Sequence, residues 1–452
     1  MPKIARGVLL AFYFLSPLFS IIYFITTISE LSPVSIPPIR YFTAITGLFA
    51  YVWLTYSFIL MARPKFLDKT FGMDTVLKFH KNMSIISLTL SLAHGLILIL
   101  VFSAQQHDKM AFRSGVLAFT ILILLMLMSS LFLIESFLTK VKGFRGIRNK
   151  FGGKYNLHLS IHNITLIAIT VLFAHLMLSN STTYSRNLRM IYVAHYGIAF
   201  SFWFYHKVIR TLSIKFSPYT VSEIIKENDA IWALKFSSND GREVPNYQPG
   251  QYCYLTIKTL GREAHPFSFI SNPLQKDSFT LSIKNVGDYT SNIGKVNVGD
   301  IAYIDGPYGI FNHLGKDGEE LVFIAGGMGI APYLSMLHYI KETDRSRKIS
   351  LIWGVRSQSD MIFSSELEQF KKDMPNLSVV HILSHDDSWA EECGFIDREK
   401  LDKYGSCESP DVEEQNKSYF VCGPKPMTHL VLRALREMKV SKSNIHSEQF
   451  TF

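Results

Sequence analysis

Two stretches of the chain carry histidines where ordinary folding gives them little to do. Lys78-Phe79-His80-Lys81 opens an apolar segment that holds a second histidine, His94, fourteen positions on. The segment Ser160 to Ser179 repeats the arrangement with His162 and His175, thirteen apart. Ionisable residues inside apolar segments of bilayer length are costly and tend to serve function. Two histidines per helix at matching depths are what two stacked haems require if each iron takes one imidazole from each helix. At 100° per residue, His80 and His94 lie within about 40° of each other, but His162 and His175 about 140° apart. The second helix must therefore be distorted or present its haems on different sides. His158, four residues before His162, competes as a ligand, and hydrogen bonding inside a bundle is the plain alternative for any single ring. His107, His195 and His206 sit near span ends or loops and read as structural.

The second half carries glycine-rich and aromatic motifs in a fixed order. His265-Pro266-Phe267-Ser268-Phe269-Ile270-Ser271 closes a β-strand, and Gly287-Asp288-Tyr289-Thr290 opens a helix where amides and a hydroxyl could hold a pyrophosphate. Asp305-Gly306-Pro307-Tyr308-Gly309 marks the end of a β-domain. Gly326-Gly327-Met328-Gly329-Ile330-Ala331-Pro332 follows a strand and opens a helix, the context a dinucleotide phosphate needs. Cys422-Gly423-Pro424 comes later in the chain. Each alone reads as a turn; in sequence they read as a nucleotide-binding module. Arg356 follows the second strand of that module, where an arginine pairs with a 2′-phosphate, which favours NADPH over NADH.

The elements that must position these residues divide the chain in two. Up to about Arg210 apolar runs dominate; beyond Lys215 the pattern is that of a soluble α/β protein. Hydropathy gives six spans, roughly 8–29, 41–62, 80–104, 114–138, 159–179 and 189–210, each near the ~20 residues that cross a bilayer. The run Val8 to Ile28 lacks a signal-type cleavage site and reads as a retained first helix. Lys140, Lys142, Arg145, Arg148, Lys150 and Lys154 fill one connection without an acid, which places both termini in the cytosol. The +9 formal charge is explained by this topology rather than by nucleic acid. All four cysteines, Cys253, Cys393, Cys407 and Cys422, lie in the soluble half without a Cys-x-x-Cys, against an iron–sulfur or zinc site. The soluble half begins with short β-runs (221–225, 230–236, 252–257, 279–283) and continues as alternating strands and helices. The expected fold is multi-domain: a six-helix transmembrane di-haem bundle over 1–215, an antiparallel β-barrel over 216–315, and an α/β Rossmann-like nucleotide domain over 316–452.

The soluble half resembles the ferredoxin–NADP reductase superfamily. The whole chain resembles the NADPH oxidase and ferric reductase family, a prokaryotic NADPH-oxidase-like member, on Phe79-His80-Lys81, the 14/13 histidine gaps and the soluble motifs. The resemblance selects His162 over His158 and implies that His80 with His162, and His94 with His175, each hold one b-type haem. It implies an FAD site at His265, Pro266, Phe267, Ser268 and Ser271, with Lys284 where the family usually has arginine, and a pyrophosphate turn at Gly287 and Thr290. It also implies an NADPH site at Gly326, Gly327, Gly329, Pro332 and Arg356, with Cys422, Gly423 and Pro424 beside the nicotinamide. Phe450 or Phe452 would shield the flavin. A flavin is needed because a haem accepts only one electron at a time from a two-electron hydride donor.

The implied route runs from NADPH through FAD and two haems across a bacterial plasma membrane to dioxygen, forming superoxide, or alternatively to a ferric or cupric chelate. Eukaryotic oxidases of the family usually carry another histidine where this chain has Leu98, and the loop 180–188 is short. The outer loops hold no grouped metal ligands, which favours dioxygen. No obligatory protein partner is evident.

Overall fold

The computed structural model describes residues 2–31, 38–101, 109–138, 162–179, 182, 185–238, 240–315, 318–386, 389, 391–405 and 416–449. The basic connection 139–154, His107, His158, Cys407, Phe450 and Phe452 lie outside them. The chain forms two compact units, Met1–Thr211 and Leu212–Phe452.

The first unit is helical: α1 (Pro2–Leu31), α2 (Pro38–Met61), α3 (Lys65–Phe71), α4 (Met73–Val101), α5 (Lys109–Leu138), α6 (Thr165–Met177) and α7 (Arg186–Phe204). Asp68 starts α4, its carboxylate accepting the Met73 N–H at 3.1 Å. Ser185 starts α7 by accepting the Leu188 N–H, as an N-cap serine does. Leu54, Phe58, Leu88, Leu122, Ile169 and Ala199 pack together inside, while Ile85, Leu96, Ile99 and Leu100 are exposed. A helix apolar on its outer face as well as its inner one belongs in lipid. Among the described residues, Ile4–Thr27, Pro38–Met61 and Met73–Val101 are long and apolar enough to span a bilayer; the apolar helices Met110–Leu125 and Thr165–Met177 are shorter.

Of the fifth expected span, 159–179, the described residues are 162–179. Among them, helix α6 has 13 residues. His162 lies before a turn at 163–164, after which the Ile164 carbonyl accepts from the Ile167 N–H at 2.9 Å and the Ala168 N–H at 3.2 Å, an i to i+3 and an i to i+4 contact. An i to i+3 turn advances about 120° per residue instead of 100°. The expected sixth span is α7 followed by a π-helical turn, Tyr205–Arg210.

The second unit holds two six-stranded sheets. The first is antiparallel, in the order β4-β3-β6-β1-β2-β5. It is built from β1 (Tyr219–Lys226), β2 (Ile231–Ser238), β3 (Tyr252–Ile257), β4 (His265–Ser268), β5 (Ser278–Lys284) and β6 (Ile301–Tyr308). Its outer strands approach each other through one bridge, Phe269 to Leu281. The other sheet is parallel, in the order β10-β9-β8-β7-β11-β12. Its strands are β7 (Glu320–Gly326), β8 (Lys348–Val355), β9 (Leu377–Leu383), β10 (Glu392–Cys393), β11 (Lys417–Gly423) and β12 (Ile445–Gln449). Every residue of β7 and β11 is buried, as expected of central strands covered on both faces. Ile231, Ile270 and Phe311 pack into the same core as Phe323, Leu351 and Trp353, joining the two sheets.

Candidate redox site

In the helical unit the four histidines meet in two pairs. The rings of His80 and His162 have centroids 6.4 Å apart at 88°, and those of His94 and His175 are 6.3 Å apart at 77°. His94 Nδ1 bonds the Thr43 carbonyl at 2.8 Å and His175 Nδ1 the Ala111 carbonyl at 2.7 Å. Each bond occupies one ring nitrogen and leaves Nε2 as the other. Two glycines shape the space. A Cβ at Gly47 would meet the His94 ring at 2.7 Å, and one at Gly115 the His175 ring at 2.9 Å. A cavity of about 520 Å³ opens beside this pair, lined by Arg40, Tyr41, Phe119, Leu122 and Leu172 among others. Among the described residues, His80 Nδ1 is buried without a hydrogen-bond partner. His195, read as structural, is so: Ser20 Oγ and Tyr56 Oη each lie 2.9 Å from one of its ring nitrogens, tying α1 and α2 to α7.

In the second unit, His265 at the start of β4 stacks on Tyr289, 4.2 Å between centroids. Burial holds the His265 imidazole below its ordinary pKa, with Glu263 opposing, so the ring is neutral near pH 7. Burial likewise pushes the Tyr289 phenol up to about 12, and its oxygen accepts the Ile257 N–H at 2.8 Å. Phe267 and Lys284 are partly buried, Pro266 is exposed and Ser268 is buried. Ser271 is a hub: its hydroxyl accepts the Thr280 N–H and contacts Tyr247 Oη at 2.9 Å, and its carbonyl accepts from Ser335 Oγ. Thr290 Oγ1 accepts N–H bonds from Val286 and Gly287, holding the glycine turn closed. A Cβ at Gly287 would meet nothing within 4 Å.

The glycine loop leaves β7 as the short 3₁₀ turn Gly327–Ile330 and enters the helix Ala331–Thr343, with Pro332 in its first turn. Cβ atoms at Gly326 and Gly329 would strike Met427 Sδ and the Cys422 carbonyl. Gly423 and Pro424 abut the same loop. Cys422 is fully buried, so its thiol reaches no solvent. Arg356 is exposed just past the carboxyl end of β8. Sequence reasoning missed Gly47, Gly115, Tyr247 and the Tyr289 stack. A glycine inside an apolar helix was the one signal available for the first two.

Three family descriptions match in chain order. They are the ferric reductase like transmembrane component over residues 46–174, the FAD-binding domain over 221–312, and the oxidoreductase NAD-binding domain over 323–433. The chain belongs to the family that joins a ferric-reductase-like transmembrane domain to FAD- and NAD-binding domains. It is thus a membrane-associated electron-transfer oxidoreductase that uses FAD and a nicotinamide nucleotide. It is 30% identical to the sulfhydrogenase 2 subunit gamma of Pyrococcus furiosus over 49% of this chain and 78% of that protein. Flavohemoprotein B of Dictyostelium discoideum is 27% identical over 51% of this chain and 58% of its own length. The FAD/NAD-binding domain of a Vibrio cholerae nitric oxide dioxygenase matches 52% of this chain and 98% of its own, at 20% identity and a TM-score of 0.45. The chain therefore spans less than two thirds of the Dictyostelium protein, and each match takes in about half of this one.

Proposed function

We propose that this protein carries electrons from cytosolic NADPH through FAD and two b-type haems across the membrane to dioxygen, forming superoxide outside. The observation that carries this reading is the pairing of four histidines into two facing sets, 6.4 and 6.3 Å between ring centroids. Two imidazoles that bind one metal from opposite sides at ~2.0 Å place their ring centres roughly 6 Å apart, so both pairs fit an iron between them. The carbonyls of Thr43 and Ala111 fix the orientation of the outer rings and leave Nε2 for the metal. When bound, the flavin accepts the hydride as an electron pair and yields electrons singly to the haems.

The chain's own residues perform binding and orientation. His265, Pro266, Phe267 and Ser268 form one wall of the flavin site, Tyr289 backs His265, and Ser271 ties that wall to the helix Ala331–Thr343 through Ser335. Gly287 leaves its backbone open to a pyrophosphate, and Lys284 supplies positive charge. Gly326, Gly327, Gly329 and Pro332 receive the nucleotide, Arg356 faces its 2′-phosphate, and Cys422, Gly423 and Pro424 border the nicotinamide. Phe450 or Phe452 covers the flavin. The domain limits 1–215, 216–315 and 316–452, with the first sheet as a barrel, and the cytosolic placement of both termini complete the arrangement. The balance is one NADPH and two dioxygen molecules giving NADP⁺, one proton and two superoxide ions.

The match to a ferric reductase like transmembrane component favours a second acceptor, a ferric or cupric chelate reduced by the same path. Sealed proteoliposomes in air, given NADPH and cytochrome c with and without superoxide dismutase, decide between them. Dismutase-sensitive reduction is expected. Dismutase-insensitive reduction with rapid anaerobic ferric reduction would make the chelate reading the correct one.

A further inference from the structure

We propose that Trp353 is a positioning residue for the nicotinamide nucleotide, its indole N–H aiming a loop amide at the pyrophosphate. Trp353 lies on β8, paired with Ala325 of β7, and is fully buried. A buried indole N–H must find an acceptor. Here Nε1 donates to the Gly327 carbonyl at 2.9 Å, reaching the glycine loop rather than a neighbouring strand.

Gly327 has φ +52°, in the left-handed region, where glycine is free and side chains are strained. Nothing intrinsic to such a residue selects one orientation of its peptide plane. The 3₁₀ turn that begins at Gly327 and the indole bond from β8 do so together. In a planar trans peptide the Gly327 C=O and the Met328 N–H point in opposite directions. Fixing the carbonyl toward Trp353 therefore fixes the Met328 N–H away from it. That amide belongs to the first turn entering the helix Ala331–Thr343, where backbone donors lack partners within a helix. The loop's other contacts agree. Gly326 and Gly329 are closed against Met427 and the Cys422 carbonyl, whereas a Cβ at Gly327 would meet nothing within 4 Å. The loop is thus held against β11 on one side and by one indole bond on another, with its backbone open at Gly327.

The inference rests on the nucleotide-binding reading of this loop but not on the electron acceptor. Full-length protein loaded with FAD is assayed with a soluble dye, so that the final acceptor does not enter. Trp353→Phe keeps an aromatic ring and removes the donor. The expected result is a KM for NADPH raised about tenfold, the loss of roughly one good hydrogen bond, with kcat at saturation and FAD content nearly unchanged. The NADPH/NADH preference stays constant, because both nucleotides share the pyrophosphate, whereas Arg356→Ala lowers that preference. A benzothiophene analogue placed at 353 keeps the bicyclic shape and removes only the N–H, and it reproduces the KM effect. An unchanged KM with the analogue would overturn the proposal. So would parallel losses of kcat, FAD content and melting temperature in both variants, the pattern of a residue that only fills the core. Absence of nucleotide-driven dye reduction in the wild type would instead remove the nucleotide reading beneath it.

Discussion

Gly47 and Gly115 act through what they lack. Each faces an imidazole of the His94 and His175 pair so closely that a methyl group would overlap it, at 2.7 and 2.9 Å. Neither His94 nor His175 can retreat without breaking its bond to a backbone carbonyl. On the proposed two-haem assignment, Gly47→Ala and Gly115→Ala should therefore each halve the haem bound, from two per chain to one, while leaving the His80 and His162 pair loaded. Haem extraction with a pyridine haemochrome assay measures this; two haems retained in both variants would show that the rings are not ligands. The histidines themselves were legible from spacing, because an ionisable ring in an apolar run stands out. The glycines were not, since nothing in a one-dimensional sequence says which ring a helix will meet. Ser271 and Thr290 illustrate the converse. Both were singled out by motif, and the structure occupies their hydroxyls with backbone N–H groups.

Elements followed the sequence where one periodicity ruled. The expected strand 252–257 matches β3 end to end, because a buried apolar run bounded by turns leaves few alternatives. Within 162–179, apolar character alone says nothing of the turn at 163–164 that precedes α6. The chain leading out of the first sheet toward β7 carries another hidden feature. Among the described residues, His313 Nδ1 is buried without a hydrogen-bond partner. Burial, with Arg347 adding repulsion and Asp344 opposing, lowers its imidazole pKa to about 4. An unfolded histidine titrates near 6.5, so between about pH 6.5 and 4 the unfolded chain binds the extra proton and the folded one does not. Stability must fall as pH falls through that window. His313→Gln should flatten the decline in melting temperature over that range without abolishing it, since His265 and His381 are also held low by burial. Melting followed by flavin fluorescence at several pH values checks this; an unaltered slope would show that His313 takes up its proton while folded.

On the scale of the whole molecule, the division into an apolar half and a soluble half was plain from the distribution of charge, and the boundary near residue 211 follows it. The acceptor was less legible, because a species that collects electrons at an exposed edge needs few dedicated side chains. The spacing of the two histidine pairs has an electrical consequence. Fourteen residues of α4 separate His80 from His94, roughly 21 Å along the axis, a large part of the insulating layer. On the proposed route, an electron passing outward between them would move negative charge through most of the membrane field. Each 100 mV, interior negative, would assist a full crossing by about 2.3 kcal/mol. The protein would behave as a current source, and without a compensating ion its own output would soon oppose it. In tightly sealed proteoliposomes supplied with external NADPH and potassium, superoxide production should slow within the first turnovers and recover when valinomycin admits potassium. Equal rates with and without the ionophore would mean that the electrons never traverse the dielectric.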